Sequence, residues 1–191
     1  NPSYSGSINQ GSFHYDGVDK YITVPSSAIT NLQKNLSFEV WFNKQGVGSV
    51  GSSFDGIFQK EGGYSGFPVY GIRTSSESNP TNLTMNFAIG GGASDGTTAT
   101  IKSNGITIGE WVCCSVTVSS DRVAKGYYQG ELQTSTTLSA DLKDENNTCL
   151  IGLGDGRRFN GYIPIVKIYN RELSASEVRQ NFDAMKSRFG L

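Results

Sequence analysis

Three tyrosines and one arginine are the side chains whose chemistry best suits the binding of a ligand. Tyr64, Tyr70 and Arg73 lie within the segment EGGYSGFPVYGIRT, and Tyr128 lies in a second aromatic segment, KGYYQGEL. Aromatic rings stack on sugar rings, and arginine donates hydrogen bonds that fix sugar hydroxyl groups in a preformed site. These four residues are our candidates for carbohydrate binding. The alternative is that the rings fill or flank the protein core.

No catalytic motif is visible in the sequence. The single histidine, His14, lies in a predicted strand, where a lone histidine is more often structural than catalytic. Glu39 has no second carboxylate at the spacing that would place both groups on one face of its strand. No nucleophile elbow or Cys-His signature occurs. We therefore expect a protein that is not an enzyme.

Net charge and the length of the apolar runs argue against two further classes of protein, nucleic-acid-binding proteins and membrane-spanning proteins. The net charge is −1, and Arg157-Arg158, the only adjacent basic pair, predicts a solvated turn and no nucleic-acid binding. No apolar run is long enough to span a membrane, so we expect no membrane insertion. Cys113 and Cys114 point to opposite faces of a predicted strand and cannot easily bridge each other. Cys149 could pair with one of them across a sheet, which would leave one free thiol. With Cys149 they make an odd number, which favours reduced, buried thiols.

Short apolar segments separated by turn residues predict an all-β protein. Apolar residues alternate with others in LSFEVWFNK and in WVCCSVTVSS, as expected for strands. The segment AKGYYQGELQTS predicts two strands joined by a tight turn at Gln129-Gly130. GVGSVGSSFDG, residues 46–56, predicts a loop. About a dozen such strands predict an antiparallel two-sheet sandwich or jelly roll, formed by a single domain over residues 1–191.

One helix is predicted close to the last residue. Ser174 and Glu177 have the spacing of a capping box, and Gly190 is a suitable stop signal. Apolar residues follow at helical spacing, at Ala175, Val178, Phe182 and Met185. This stripe predicts a short C-terminal helix that packs on the sandwich.

Four segments, in this order, resemble those of laminin-G-like, concanavalin A-like jelly rolls. FHYDGVDKYITVP is similar to the family's opening strands, and LSFEVWFN to its L-T-(apolar)-x-x-W strand. GEWVCCSVTV with KGYYQGEL is similar to its G-x-W strand and Y-x-N-G-x-L hairpin. FNGYIPIVKIYNRELSASE is similar to its closing pattern F-N-G-x-I-D, strand, Y-N-R-x-L-S-x-x-E. The resemblance covers nearly the whole chain and implies a concanavalin A-like fold.

The resemblance also implies a calcium site, because members of this family often hold Ca²⁺ at the rim of the sandwich. The candidate ligands are Asp16, Asp19 and Asp155, since carboxylate oxygens suit this ion. Their alternative role is to form turns, as Asp before Gly commonly does. The chain departs from the family pattern at Pro164, which replaces an acidic residue and predicts a strand edge or bulge.

The ending QNFDAMKSRFGL is similar to the close of laminin-G-like domains in structural proteins of bacteriophages and related viruses. It implies a non-catalytic virion surface protein, a capsid decoration or fibre component, whose partners are other virion proteins and cell-surface glycans. The alternative is a carbohydrate-binding module or lectin domain of a secreted or cell-surface protein. A glycoside hydrolase is a third hypothesis. Glucanases with this fold use the motif E-x-D-x-x-E, which is missing here, so a hydrolase activity would depend on the lone Glu39.

Overall fold

The computed structural model describes residues 1–6, 11–48, 54–62, 68–75, 83–91, 95–142, 146–154 and 156–191. Within these ranges the chain forms two large antiparallel sheets that pack face to face, followed by one short helix. The predicted fold class, an antiparallel two-sheet sandwich of the jelly-roll type with a C-terminal helix, is confirmed.

The first sheet has seven strands. In spatial order they are β1 (Ser3–Ser5), β2 (Ser12–Asp16), β15 (Asn160–Tyr169), β4 (Leu36–Lys44), β9 (Trp111–Val118), β10 (Val123–Tyr128) and β11 (Glu131–Thr137). The late strand β15 therefore lies between two early strands, β2 and β4.

The second sheet has six strands. In spatial order they are β3 (Ile22–Val24), β12 (Cys149–Ile151), β5 (Phe54–Lys60), β6 (Tyr70–Ser75), β7 (Leu83–Gly91) and β8 (Asp95–Ile106). A separate two-stranded hairpin consists of β13 (Leu153–Gly154) and β14 (Arg157–Arg158). The strands β2 and β3, which resemble the opening strands of the laminin-G-like family, thus belong to different sheets.

The alternation in β4 produces the main core. Its inward side chains Leu36, Phe38, Val40 and Phe42 pack between the two sheets with apolar residues of β5, β6 and β9. The outward residues of β4 are also buried, because the C-terminal helix covers that face. Burial on both faces explains why this strand is rich in large apolar residues and still alternates.

The predicted turn at Gln129-Gly130 is confirmed, since both residues have positive φ, of 51° and 78°, between β10 and β11. Two other local predictions were wrong. Arg157-Arg158 is the strand β14 with half-buried side chains, because it pairs with β13. Phe54 to Gly56, predicted as the end of a loop, begin β5, because they pair with β6.

The F-N-G sequence at the start of β15, Phe159 to Gly161, has a structural explanation. Phe159 is fully buried in the main core, and Asn160 Nδ2 donates a hydrogen bond to the carbonyl oxygen of Val47 at 3.1 Å. A Cβ atom on Gly161 would collide with the carbonyl oxygen of Asn43 on β4. The register of β15 then shifts between Tyr162 and Ile165, so Pro164 lies in a bulge, as predicted.

The helix α1 (Ala175–Met185) continues into a 3-10 helix over Lys186–Phe189, and Gly190 caps the latter with a φ of 74°. The predicted capping box is confirmed. The side chain of Ser174 accepts a hydrogen bond from the backbone amide of Glu177, and the side chain of Glu177 accepts one from the backbone amide of Ser174. Phe182 and Phe189 stack on Trp41, with ring centres 5.7 and 4.5 Å away. Among the described residues no helix is both long and apolar enough for a membrane span.

We expect the substitution Ser174→Ala to lower the free energy of unfolding by about 1 kcal/mol, because it removes the side-chain half of the capping box. The other half is well formed, since Arg171 and the amide of Ser174 lower the pKa of Glu177 to about 2 and keep its carboxylate charged. Urea denaturation checks this value. Ser187→Ala, at an exposed serine outside the cap, is the control, and an equal loss there would contradict the prediction.

Candidate functional site

A shallow groove lies on the outer face of the six-stranded sheet, where β5 and β6 meet the β13–β14 hairpin. Its floor is formed by Gly56, Gly71 and Gly154. Around this floor stand the side chains of Phe54, Gln59, Arg73 and Arg157. We call these seven residues the glycine-floored groove.

The floor is narrow because β5 and β13 approach each other closely at Gly56 and Gly154. A Cβ atom on Gly56 would collide with the backbone of Gly154, so the hairpin can lie against β5 only if position 56 has no side chain. Gly154 pairs with Arg157 across the hairpin. The glycine contact therefore determines where Arg157 stands relative to β5.

Arg73 makes two contacts that fix its position in the groove. Its guanidinium carbon lies 4.2 Å from the centre of the Phe54 ring, which is a cation–π contact. Its Nη2 atom donates a hydrogen bond to Thr98 Oγ1 on β8 at 3.1 Å. Ring and hydroxyl together hold the guanidinium group at the wall of the groove.

Only one of the four residues predicted to bind carbohydrate, Arg73, lies in this groove. Tyr64 lies outside the described residues. Tyr70 is fully buried: its ring stacks on Phe38 at 5.3 Å and its hydroxyl group donates to the carbonyl oxygen of Thr30. Burial also raises the pKa of Tyr70. The assignment of Tyr70 to a sugar site is therefore corrected, because a core ring offers no face to a ligand.

Tyr128 is also separate from the groove. Its ring is half-buried against the main core, and Lys102 Nζ lies 5.2 Å from the ring centre. Its neighbour Tyr127 is buried under α1 with Leu173 and Val178. Tyr127 and Tyr128 thus point to opposite faces of β10, and both faces of the strand are covered.

The sequence did not single out Phe54, Gln59 or Arg157 as binding residues. Phe54 and Gln59 lie on the same face of the sheet as Arg73 because β5 pairs with β6, with Gly56 opposite Arg73 and Gln59 opposite Gly71. Arg157 reaches the groove only through the packing of the hairpin. One signal was available: glycines at 56, 71 and 154 lie in or beside predicted strands, where a missing side chain often marks a close approach.

A family profile described as the concanavalin A-like lectin/glucanases superfamily, of the laminin G type, matches residues 16–179. The chain belongs to this superfamily. A search of curated protein sequences found no match.

Solved structures share the superfamily fold at low sequence identity. Domain 4 of an extracellular arabinanase from Geobacillus stearothermophilus, solved with arabinotriose, is 18% identical with a TM-score of 0.67, over 94% of this chain and 80% of that chain. A heptameric SAP-like pentraxin from Limulus polyphemus is 12% identical with a TM-score of 0.60, over 87% and 78%.

A structure of botulinum neurotoxin type C, whose cell entry depends on interaction with two ganglioside molecules, is 14% identical with a TM-score of 0.72. The match covers 97% of this chain but only 45% of the toxin chain. This chain thus spans less than half of that protein, and the similarity concerns the fold.

The calcium ligands implied by the superfamily resemblance do not assemble among the described residues. Asp16 Oδ1 accepts hydrogen bonds from the amides of Val18, Asp19 and Lys20, at 2.9 to 3.4 Å. Desolvation acts against ionisation of Asp16, but these amides and the charge of Lys20 lower its pKa overall. This is the geometry of a turn, in which backbone donors occupy the carboxylate oxygen.

Asp19 is exposed, and Asp155 lies outside the described residues. Across the described part of the chain, no three His, Cys, Asp or Glu side chains are placed to hold a metal ion together. The described residues therefore do not fit a calcium site on their own.

Glu39 lies on the outer face of β4, beneath the C-terminal helix. It is 1% exposed, and its Oε1 atom accepts hydrogen bonds from Trp41 Nε1 at 3.0 Å and Lys167 Nζ at 2.8 Å. A polysaccharide cannot reach a carboxylate in this position. Its contacts give Glu39 a structural role in holding β4 to β15.

The three cysteines are free and buried. Cys114 faces the main core, Cys113 packs with Trp41 under the helix, and Cys149 lies in β12. Burial raises the pKa of all three thiols, which disfavours the reactive thiolate form. They pack as small apolar side chains.

Proposed function

We propose that this chain is a non-catalytic carbohydrate-binding, lectin-like domain, residues 1–191, and that the glycine-floored groove holds part of a glycan. The observation that carries this proposal is the stacking of Arg73 on Phe54 at the edge of a shallow groove on the outer face of the sheet. Lectin-type sites need a preformed surface with a few fixed hydrogen-bonding groups. Gln59 and Arg157 add an amide group and a second guanidinium group at the same floor.

The relatives in fold agree with this proposal. The arabinanase domain was solved with a sugar, arabinotriose, and the type C toxin interacts with gangliosides, which carry glycans. These properties belong to those proteins, and they support a glycan ligand here only by analogy of fold. Cell-surface glycans would be the partners and the extracellular space the location.

A non-catalytic role is supported by a physical argument. A glycosidase needs two carboxyl groups that flank the bond to be broken. Glu39 is the carboxylate that the hydrolase hypothesis requires. It is buried under the C-terminal helix, on the face of the first sheet that points away from the second sheet. The described lining of the groove contains no carboxylate.

We expect a multivalent display of the protein to bind a subset of glycans on an array, because single lectin sites are weak and multivalency raises their avidity. We expect Phe54→Ala to abolish that binding, since it removes the ring that supports Arg73. Tyr4→Ala is the matched control, because Tyr4 is an exposed aromatic residue on β1 of the other sheet. Retained binding in Phe54→Ala would place the site elsewhere.

The same array with a chelator tests calcium. We expect no loss of binding, because Asp16 is occupied by backbone amides. Loss of binding with chelator would instead show that binding requires a metal ion, and substitution of Asp16, Asp19 and Asp155 in turn would then test the three ligands that the resemblance implies.

A virion surface protein is the second proposal, and it rests on the resemblance of QNFDAMKSRFGL to viral laminin-G-like domains. The fold gives this segment an additional explanation, since Phe182 and Phe189 in it cover Trp41. A virion role and glycan binding are compatible. Co-purification with assembled particles would support the virion role, and absence from particles would oppose it.

A further inference from the structure

The two sheets leave a cleft between them beside the edge strand β3. It is bordered by Val24 on β3, Ile151 on β12, and Val166 and Ile168 on β15, and we call it the inter-sheet cleft. The strands β3 and β12 have three residues each, whereas β15 has ten. At about 3.3 Å per residue, each short strand spans about 10 Å and β15 about 33 Å. The short strands therefore cover only part of β15.

The side chains that point into the cleft from β15 are incompletely buried. Val166 and Ile168 lie on the inner face of this strand, because they pair with the core residues Val40 and Phe38 of β4. Val40 and Phe38 are at most 1% exposed, but Val166 and Ile168 are only half-buried. Since protein interiors are normally close-packed, inward-facing apolar side chains that remain partly exposed mark a part of the sandwich that is not filled.

The bottom of the inter-sheet cleft belongs to the main core. Phe58 on β5 and Cys149 on β12 line it, and both are at most 1% exposed. The volume of the cleft is about 340 Å³. Sites for small molecules typically measure about 300–1,000 Å³, so the cleft has the size of such a site. It lies on the inner face of the second sheet, whereas the glycine-floored groove lies on the outer face.

A turn held by its own hydrogen bonds forms one side of the mouth. The amide of Ser27 donates to Thr30 Oγ1 at 2.9 Å, and the amide of Thr30 donates to the carbonyl oxygen of Ser27 at 3.0 Å. The hydroxyl group of Tyr70 donates to the carbonyl oxygen of Thr30 at 2.8 Å and ties the turn to the core. Within this turn Ile29 lines the cleft and is 58% exposed. An apolar side chain is thus held at the entrance.

The lining determines which kind of ligand fits. Among the described residues that line the cleft, seven are apolar, two are the hydroxyl residues Ser27 and Thr30, and none carries a charge at neutral pH. A charged group that left water for this lining would lose its hydration without gaining an ionic partner from these residues. A stable protein interface needs about 800 Å² on each partner, and a cleft of this volume offers much less.

We infer that the inter-sheet cleft binds one small, uncharged, apolar molecule, such as a compact ring compound. Such a ligand buries the exposed parts of Ile29, Val166 and Ile168 and completes the core between β15 and the edge of the second sheet. The driving force is the removal of apolar surface from water. This binding goes beyond the proposed function and does not depend on the glycan site.

The experiment uses two fluorescent probes that differ by one charged group. N-phenyl-1-naphthylamine is uncharged, and 1-anilinonaphthalene-8-sulfonate is the same molecule with a sulfonate group. We expect the uncharged probe to bind with saturation at one molecule per chain, and the sulfonated probe to bind at least about tenfold more weakly. The uncharged probe should also raise the midpoint of thermal unfolding, because it binds only the folded state.

A matched pair of substitutions locates the bound probe. Val24→Phe places a ring inside the cleft and should weaken binding of the uncharged probe at least about tenfold. Val18→Phe makes the same change at a residue that is 72% exposed and does not line the cleft, and it should leave binding unchanged. Circular dichroism and urea denaturation establish that both variants are folded.

Ile29→Ala is a second variant, chosen because an exposed side chain contributes little to folding. It should weaken binding of the uncharged probe by about threefold or more, since it removes apolar surface at the mouth, and leave the urea midpoint unchanged. If Val24→Phe does not fold, unchanged affinity in Ile29→Ala overturns the inference. So does failure of the uncharged probe to bind, equal affinity for the two probes, or equal weakening in Val24→Phe and Val18→Phe.

Discussion

Replacing Lys44 by methionine is expected to lower the free energy of unfolding by about 3–5 kcal/mol. Both side chains of the Lys44–Asp55 ion pair are fully buried, and the amide of Gly48 also donates to Asp55 Oδ2 at 3.1 Å. Burial lowers the pKa of Lys44, while the charge of Asp55 opposes that shift. Methionine fills the same space but leaves a buried carboxylate without its ammonium partner. Urea denaturation followed by tryptophan fluorescence measures the loss.

Two further variants make the Lys44 experiment decisive. The double variant Lys44→Met with Asp55→Val removes both charges, and it should recover most of the stability, because the uncompensated charge is the main cost. Lys34→Met removes the ammonium group from an ion pair with Asp141 whose side chains are about half exposed, and should cost at most about 1 kcal/mol. Equal losses in Lys44→Met and Lys34→Met would show that the Lys44 pair is solvated.

Truncation after Asn170 is expected to abolish cooperative folding. It removes Leu173, α1 and the 3-10 helix, and so uncovers the outer face of the first sheet, where Trp41, Cys113 and Tyr127 are now buried. A sheet with such an apolar face exposed tends to aggregate. Thermal unfolding, dye binding to exposed apolar surface and light scattering would reveal the change. A stable truncated monomer would show that the helix is dispensable.

Point variants on the helix give a graded form of the same test. Phe182→Ala should cost about 3–5 kcal/mol, because Phe182 stacks on Trp41 with an interplanar angle of 6°. Gln180→Ala, on the exposed side of α1, should change stability by less than about 0.5 kcal/mol. Similar costs for the two variants would contradict docking through the apolar stripe.

The fold could be predicted because its signals are local. Alternation in β4 and β9, the turn at Gln129-Gly130 and the capping box at Ser174 each depend on residues close together in sequence. The resemblance to laminin-G-like jelly rolls then supplied the order of these elements. Pro164 was assigned to an edge or bulge from its missing amide alone.

The candidate site could be predicted only in part, because it depends on register and on packing between distant segments. Tyr70 and Arg73 are three positions apart in one strand, so their side chains point to opposite faces, and only one could line a surface groove. That parity was visible in the sequence. The proximity of Arg73 to Phe54 and Arg157 was not visible in the sequence. It depends on the pairing of β5 with β6 and on the contact of Gly56 with Gly154.

The position of β15 has a consequence for how the molecule reaches its native state. Residues 160–169 pair with residues 13–16 on one side and 37–44 on the other. During synthesis the edges of β2 and β4 that pair with β15 therefore stay unpaired until residues 160–169 have left the ribosome. Contacts between such distant residues slow folding and expose the waiting strands to aggregation. We expect this domain to fold only after residues 160–169 have been translated, and to benefit from chaperones before that point.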